Sequence, residues 1–306
     1  MHGRLVRQES HLTILPDAAL CSLPVQRRTL RLGRREWPPG SFGIMAVVNR
    51  TPDSFYDRGA TYEQGAAIAA AGRAVRAGAE ILDVGGVKAG PGDEVTVAEE
   101  IRRVVPVVAA LRERHPGVVL SVDTWRAPVG AAVAAVGADL LNDAWGGADP
   151  DLAHVAAAHD IGLICAHAGG LAPRQRPHRP AHPNLAGAVI SSLVAEAERA
   201  LAAGVSQDRI VIDPAHDFGK NTWHSLELTR RTADLAATGW PVLVAVSNKD
   251  FVGEALGLGL TERGEGTLAV LAVCAWEGAR LFRVHDVAAA RDALGAVTRI
   301  REAIPG

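Results

Sequence analysis

From residue 42 onward the sequence alternates short β-rich apolar runs with longer Ala-rich stretches. That rhythm belongs to β/α units whose strands lie parallel and are covered on both faces. Eight runs can be counted: Phe42 to Val48, Glu80 to Val84, Val118 to Val122, Asp139 to Leu141, Ile161 to Cys165, Arg209 to Ile212, Pro241 to Val246 and Arg280 to Val284. Helical spacing follows each of them. Over 96–114, Ile101, Val104, Val105, Val108 and Leu111 recur on one face, Thr96 and Glu99 stand at capping-box spacing, and Pro106 is expected to kink the helix. Further helices are expected near 64–77, 127–135, 150–158, 188–203, 224–237, 262–276 and 287–302. Eight strand–helix units in about 265 residues predict an α/β fold of the (β/α)8 TIM barrel kind rather than an open doubly wound sheet. The nucleotide-binding signatures of open sheets are also missing. No GxGxxG opens the first unit, and Pro214 stands where a phosphate loop ending at Gly219-Lys220 needs its first glycine.

Residues 1–40 carry seven arginines, close on Trp37-Pro38-Pro39-Gly40 and lack sustained helical periodicity. They are expected to form an N-terminal extension or hairpin, with the arginines on a solvated face, ahead of a single barrel over 41–306. The 306 residues include 32 Lys and Arg against 34 Asp and Glu, a net charge of -2, so no global basic field recruits nucleic acid. Hydrophobic residues at 48% exclude a disordered chain. Cys21, Cys165 and Cys274 form no CxxC pair, which argues against a disulfide framework and a cysteine zinc site and favours a reducing cytoplasm. No run approaches the 18 apolar residues of a membrane span, and charges are scattered through the first 30 residues, so neither a span nor a signal peptide is read.

In such a barrel the functional groups sit at the C-terminal ends of the strands. Here those ends are polar throughout: Asn49, Asp83, Asp123, Asn142 with Asp143, His167, Asp213, Ser247 with Lys249, and Arg283 with His285. Any one of them alone is ordinary helix capping or a satisfied loop histidine; together they read as a site. Asp123, Asn142, Asp213 and Lys249 suit a flat heterocycle with amide and amino edges, because carboxylates accept paired N–H groups and a lysine donates to a ring carbonyl. Arg283 and His285 suit phosphate oxygens, and Asn49 can offer an oxygen to a bridging Mg2+. The residues alone therefore point to a heterocycle diphosphate.

Six motifs occur in order: Val48-Asn49-Arg50-Thr51-Pro52-Asp53-Ser54-Phe55, Asp83-Val84-Gly85-Gly86, Ser121-Val122-Asp123-Thr124, Asn142-Asp143, Asp213-Pro214 with Phe218-Gly219-Lys220, and Arg283-Val284-His285-Asp286-Val287. Over residues 42–300 the chain resembles the dihydropteroate synthase family of the folate pathway. The resemblance implies a pterin-binding barrel, with Mg2+, that joins 6-hydroxymethyl-7,8-dihydropterin diphosphate to p-aminobenzoate and releases pyrophosphate. By position it places the pterin ring on Asp123, Asn142, Asp213 and Lys249, and the diphosphate and its metal on Asn49, Arg283 and His285. It also implies a homodimer packed through barrel helices. The implied chemistry needs no strong general base, since a neutral arylamine is already a nucleophile, and no Ser-His-Asp or Cys-His pairing is found.

The chain departs from that pattern in its second loop. The family's Gly-Gly-Glu-Ser-Thr-Arg-Pro-Gly is here Gly85-Gly86-Val87-Lys88-Ala89-Gly90-Pro91-Gly92. A hydroxyl and a guanidinium are gone from a loop that closes over the diphosphate, and losing one such group typically costs about 10²- to 10³-fold. Arg50, in place of an apolar residue, and Lys88 are the candidates for compensation; Ala166-His167 replaces Met-His, and Ser247-Asn248-Lys249 replaces Ser-Arg-Lys. The pterin half is retained and the arylamine half remodelled, which resembles the divergent second copies of the family. The chain is expected either to perform the condensation or to be a diverged copy with little activity. A zinc hydrolase built on His167, Asp213 and His285, with His178, His182, His216 and His224 nearby, is the remote alternative, because Asn49 stands where such barrels carry a His-x-His pair. His178 and His182 are expected to be solvated, and Cys165 to pack as a small apolar group.

Overall fold

The computed structural model describes residues 28–49, 63–88, 90, 92–170, 172–174 and 184–303. A two-stranded antiparallel hairpin, β1 (Leu30–Leu32) and β2 (Arg35–Trp37), precedes eight parallel strands: β3 (Gly43–Asn49), β4 (Ile81–Gly85), β5 (Val119–Asp123), β6 (Leu140–Asp143), β7 (Gly162–Ala166), β8 (Ile210–Asp213), β9 (Leu243–Val244) and β10 (Leu281–Val284). Their spatial order is β8-β7-β6-β5-β4-β3-β10-β9. A parallel bridge between Ile212 and Val242, with the Ile212 N–H donating to Pro241 O at 2.9 Å, closes the ring between β8 and β9. This is the (β/α)8 barrel the alternation predicts.

Helices α1 (Gln64–Ala77), α2 (Val97–Arg114), α3 (Ala127–Ala134), α4 (Asp151–Ala158), α5 (Leu185–Ala202), α6 (Thr222–Arg230), α7 (Thr232–Ala237), α8 (Asp250–Leu256), α9 (Gly264–Trp276) and α10 (Val287–Glu302) surround it. Helix α2 runs through Pro106 without interruption. Thr96 caps it by accepting from the Glu99 N–H at 3.2 Å, but the Glu99 carboxylate turns to Arg102 and Arg103, so only half of the expected capping box forms. The segment expected as one helix over 224–237 breaks into α6 and α7 at Arg231. Helix α8 is an element the periodicity does not reveal, because its seven residues contain Gly253 and span fewer than two full turns.

Side chains alternate across each strand, and this alternation positions the site. One inward residue per strand, Met45, Ile81, Val119, Leu140, Ile164, Val211, Leu243 and Leu281, fills the lower barrel together with Leu30, Leu32 and Trp37 of the hairpin. Outward residues such as Ile44, Leu82, Leu120, Leu141, Ile212 and Phe282 pack under the helices in a separate cluster. The hairpin thus stops the bottom of the barrel. Room for it comes from missing side chains: a Cβ on Gly162 would lie 2.5 Å from Leu32, and one on Gly43 2.7 Å from Trp37. Arg280, 2% exposed, donates to the carbonyls of Arg28, Trp37 and Pro38, and Trp37 Nε1 donates to Glu80 at 3.3 Å. Arg31 and Arg35, expected on a solvated face, pair across to Asp208 and Glu80 of the barrel's lower rim. Among the described residues, no helix is long and apolar enough to cross a membrane.

Candidate functional site

Two residues beyond the apolar layer, the same inward parity turns polar. Ile81 is followed by Asp83, Val119 by Ser121 and then Asp123, Leu140 by Asn142, Val211 by Asp213, and Leu281 by Arg283 and then His285. Buried strands thus carry their polar groups to one end, the C-terminal mouth. Asn49 and Asp123 flank Gly85, whose missing side chain leaves the space between them: a Cβ there would lie 3.9 Å from both Asn49 Oδ1 and Asp123 Oδ2.

Asp83, 0% exposed, is the hub at the base of this mouth. Its carboxylate accepts from Ser121 Oγ at 2.6 Å, Asn142 Nδ2 at 3.2 Å and Arg283 Nε at 2.7 Å. Arg283 also reaches Asp123 at 3.3 Å, so one guanidinium lies between two carboxylates. Burial pushes the Asp123 carboxyl up to about 7; the Arg283 charge opposes this and Asp83 adds to it. Asp213 is also raised by burial, although the Ala215 N–H it accepts at 2.7 Å works the other way.

A chain of rings links the loops after β5, β6 and β8. Trp125 meets Trp145 edge-on at 6.3 Å, Trp145 meets Phe218 at 5.5 Å, and Lys249 Nζ lies 4.7 Å over the Phe218 ring. Burial lowers the Lys249 pKa, with Asp217 and Asp213 holding it partly up. Lys220 is 1% exposed and donates to three carbonyls, His167 O at 3.0 Å, Ala215 O at 3.1 Å and Phe218 O at 2.8 Å, tying the loops after β7 and β8 together. Burial brings its pKa down to about 7. Ala215 and Asp217 in the loop after β8, and Asn248 in the loop after β9, adopt positive φ at 49°, 69° and 56°. Such backbone is strained for non-glycine residues and gathers at functional sites.

His285 is within hydrogen-bond distance of Ser247, Nδ1 to Oγ at 3.0 Å, while its backbone N–H donates to the same Oγ at 3.3 Å. Burial, and then the Arg283 and Lys249 charges, hold its pKa down at about 4, so near neutral pH it contributes N–H donation and no charge. All seven sequence-derived site residues, Asn49, Asp123, Asn142, Asp213, Lys249, Arg283 and His285, therefore converge on one mouth. The sequence marks Asp83 as a strand end without placing it in the site, and it gives Lys220, Trp145 and Phe218 no place there. Only the parity shared with Ile81 could have singled out Asp83.

On the remodelled side, Arg174 of the loop after β7 donates to Gly90 O at 3.3 Å and Asp93 O at 2.6 Å, bracing the second loop from across the mouth. Lys88 is half-buried. Arg50, Ala89, His178 and His182 lie outside the described residues. Among the described residues, no three His, Cys, Asp or Glu side chains converge as a metal centre requires. Two histidines of the zinc alternative are otherwise engaged: His216 stacks on Phe251 and bonds Thr229, and His224 completes the capping box of α6 with Asn221. Cys165 is a buried free thiol whose pKa burial raises.

Known proteins place this geometry in context. Residues 45–285 match the family model described as pterin binding enzyme. A Mycobacterium tuberculosis protein named inactive dihydropteroate synthase 2 is 58% identical over 266 residues, 86% of this chain and 84% of that protein. The Escherichia coli dihydropteroate synthase is 36% identical over 245 residues, 80% of this chain and 86% of that enzyme. The crystal structure of the Yersinia pestis dihydropteroate synthase in complex with a sulfonamide drug superimposes with a TM-score of 0.85 at 33% identity, covering 90% of this chain and all of that one.

Proposed function

Because the chain belongs to the dihydropteroate synthase family of pterin-binding enzymes, we propose that it is a diverged copy that binds the family's pterin diphosphate and condenses it with p-aminobenzoate weakly or not at all. One observation carries this reading: the sequence keeps every residue assigned to the pterin ring, Asp123, Asn142, Asp213 and Lys249, while its second loop holds Ala89 and Gly90 where the family has threonine and arginine. In this reading Asp123 and Asp213 accept from the amino and amide edges of the ring, Asn142 reads the same edge, and Lys249 donates to the ring carbonyl. Asn49 and the neutral His285 face the diphosphate, with Arg283 on the boundary between the two halves.

The donor set suits Mg2+ that arrives with the diphosphate. Mg2+ keeps much of its water and is held largely by phosphate oxygens, so one amide oxygen from Asn49 is a fitting protein contribution. Bound there, Mg2+ would supply charge relief for a departing pyrophosphate. The second loop brings neither the family's hydroxyl nor its guanidinium to that charge relief. Two of the donor groups of Arg174 are committed to loop carbonyls, and Lys88 is a half-buried cation on the loop itself. Ground-state binding of the ring needs none of these groups, whereas C–O cleavage does. The name of the M. tuberculosis relative supports the same conclusion.

The test pairs calorimetric binding of the pterin diphosphate with mass-spectrometric detection of dihydropteroate, using Asp213→Ala as the control. Binding by the wild type that the control loses, with turnover at least about 100-fold below the E. coli synthase, is expected. Turnover equal to that enzyme sinks the diverged-copy reading, and a folded protein that binds no pterin sinks the pterin site itself. The retention of Asn49, Arg283 and His285 favours residual synthesis as the second reading. We also read the assembly as a cytoplasmic homodimer packed through barrel helices, where Leu256, Val273 and Ile300 are exposed. Light scattering that gives a monomer overturns the dimer.

A further inference from the structure

A ligand in the mouth has no need to touch Asp83, yet three donors converge on its carboxylate from β5, β6 and β10. The consequence lies in what those donors can no longer do. The amide of Asn142 is planar, with a donor on one side and an acceptor on the other. With Nδ2 held at 3.2 Å from the buried Asp83 carboxylate, Oδ1 is the atom left to face the mouth. Without an acceptor beneath it, an asparagine amide can turn over and present either group. Arg283 is constrained in the same way: its Nε is fixed on Asp83 at 2.7 Å, which aims the rest of the fork toward Asp123 and the mouth.

We propose that Asp83 is a positioning and specificity-determining residue, which fixes the hydrogen-bonding pattern of the pterin half by turning Asn142 Oδ1 outward and holding Arg283 against Asp123. The inference rests on the pterin-binding reading and deepens it. With Asp83 in place, the ligand edge meets acceptors from Asn142, Asp123 and Asp213 and a donor from Lys249. That pattern admits a ring carrying an amino group beside an amide. It rejects one that carries a second oxo group in place of the amino group, because acceptor would then face acceptor. Sites built around buried, oriented polar groups discriminate strongly by this route.

The test measures a ratio, because a loss of general integrity weakens every ligand and leaves the ratio alone. Two probes differ only at the edge in question, 6-hydroxymethylpterin (2-amino-4-oxo) and 6-hydroxymethyllumazine (2,4-dioxo), each titrated by calorimetry into the full chain. The wild type is expected to prefer the amino compound by at least about 30-fold, and Asp83→Asn, which offers one fewer acceptor and allows Asn142 to turn, to prefer it by less than about 5-fold. Leu32→Ala, at the far end of the barrel, serves as the destabilised control and keeps the wild-type ratio. An unchanged ratio in Asp83→Asn overturns the proposal and leaves the pterin reading standing. A wild type that binds neither probe overturns both. If Asp83→Asn does not fold, the unliganded wild type still decides the matter. The Asn142 side-chain amide protons, assigned by their loss in Asn142→Ser, are expected to exchange with solvent at least about 100-fold more slowly than those of an exposed asparagine. Exchange at the exposed rate overturns the proposal.

Discussion

At the bottom of the barrel, eight inward side chains and three from the hairpin form an apolar plug, with Leu30 and Leu32 at 0% exposure. Two to four residues further along the same strands, the inward positions hold three carboxylates, a guanidinium and an imidazole. Both layers are inward-facing, but they are held together by different forces. The bottom is stabilised by area removed from water, which depends little on pH or salt. The mouth is stabilised by pairing charges that burial penalises, so each charge is tolerable only while its partner remains. Stability concentrates at one end, and a store of opposed charges at the other.

The largest effect should come from breaking that pairing. Arg283→Leu leaves Asp83 and Asp123 facing each other without a counter-charge, and removing one member of a buried pair costs about 4 kcal/mol. The cost should depend on pH with a definite sign. Asp123 is already raised to about 7, and loss of Arg283 raises it further, so protonation relieves the repulsion in acid and the penalty grows as pH rises. Urea denaturation at pH 5.5 and at pH 8 checks this, and a penalty equal at both pH values breaks the electrostatic account of the mouth.

Leu32→Ala is the matching change at the bottom. Truncating a fully buried leucine costs about 3 kcal/mol, and here the loss should be the same at both pH values. Pterin affinity should stay within about twofold wherever the protein is folded, since additivity holds for distant sites. Coupling between this substitution and Arg283→Leu in a double-mutant cycle breaks the separation of the two layers.

A smaller effect sharpens the comparison from the ligand side. If the ring binds only to ionised Asp123, whose pKa burial pushes up to about 7, affinity should fall as pH drops through neutrality, about eightfold between pH 7.5 and pH 6. Asp123→Asn should bind more weakly at every pH and lose the slope. Calorimetric titration at the two pH values measures both, and a wild-type affinity that is flat with pH removes Asp123 from the contact.

The two layers also differ in how far the sequence reveals them. Apolar runs locate all eight strands, but they stop one residue short at the C-terminal end of β3, β4, β5, β7 and β8; in β3, β5 and β8 the ladder continues under a polar residue, Asn49, Asp123 or Asp213, that hydrophobicity does not mark. Asn49 pairs with Gly85, and Gly85 with Asp123, through the backbone alone. The residues ending the strands are therefore legible as a set, since barrel architecture sends them to one place. The partner each one takes is not legible. Asp83 resembles any other strand-end carboxylate until parity puts Ser121, Asn142 and Arg283 around it from strands 38 to 200 positions away. The hairpin is legible only as one of two readings of the N-terminal segment: three-residue strands are too short to show a period, and of the glycines that admit it, Gly162 lies far from it along the chain.

Strain distinguishes the two ends as well, and it supplies the smallest effect. Ala215 sits between Pro214 and His216 with φ at 49°, a left-handed conformation that costs an L-residue about 1 kcal/mol relative to glycine. The loop holds it there because the Ala215 N–H donates to Asp213 at 2.7 Å while its carbonyl accepts from Lys220 at 3.1 Å. Both bonds fail if the residue returns to ordinary backbone, and the Asp213 carboxylate loses its anchor. Ala215→Gly should therefore remove the strain and keep the bonds. The expected gain is about 0.5 kcal/mol in chemical denaturation, the relief being partly offset by the greater freedom of glycine in the unfolded chain. Pterin affinity should be unchanged. A loss of affinity without a loss of stability would instead mean that the alanine methyl group touches the ligand. It would also move Ala215 from the framework of the mouth into its lining.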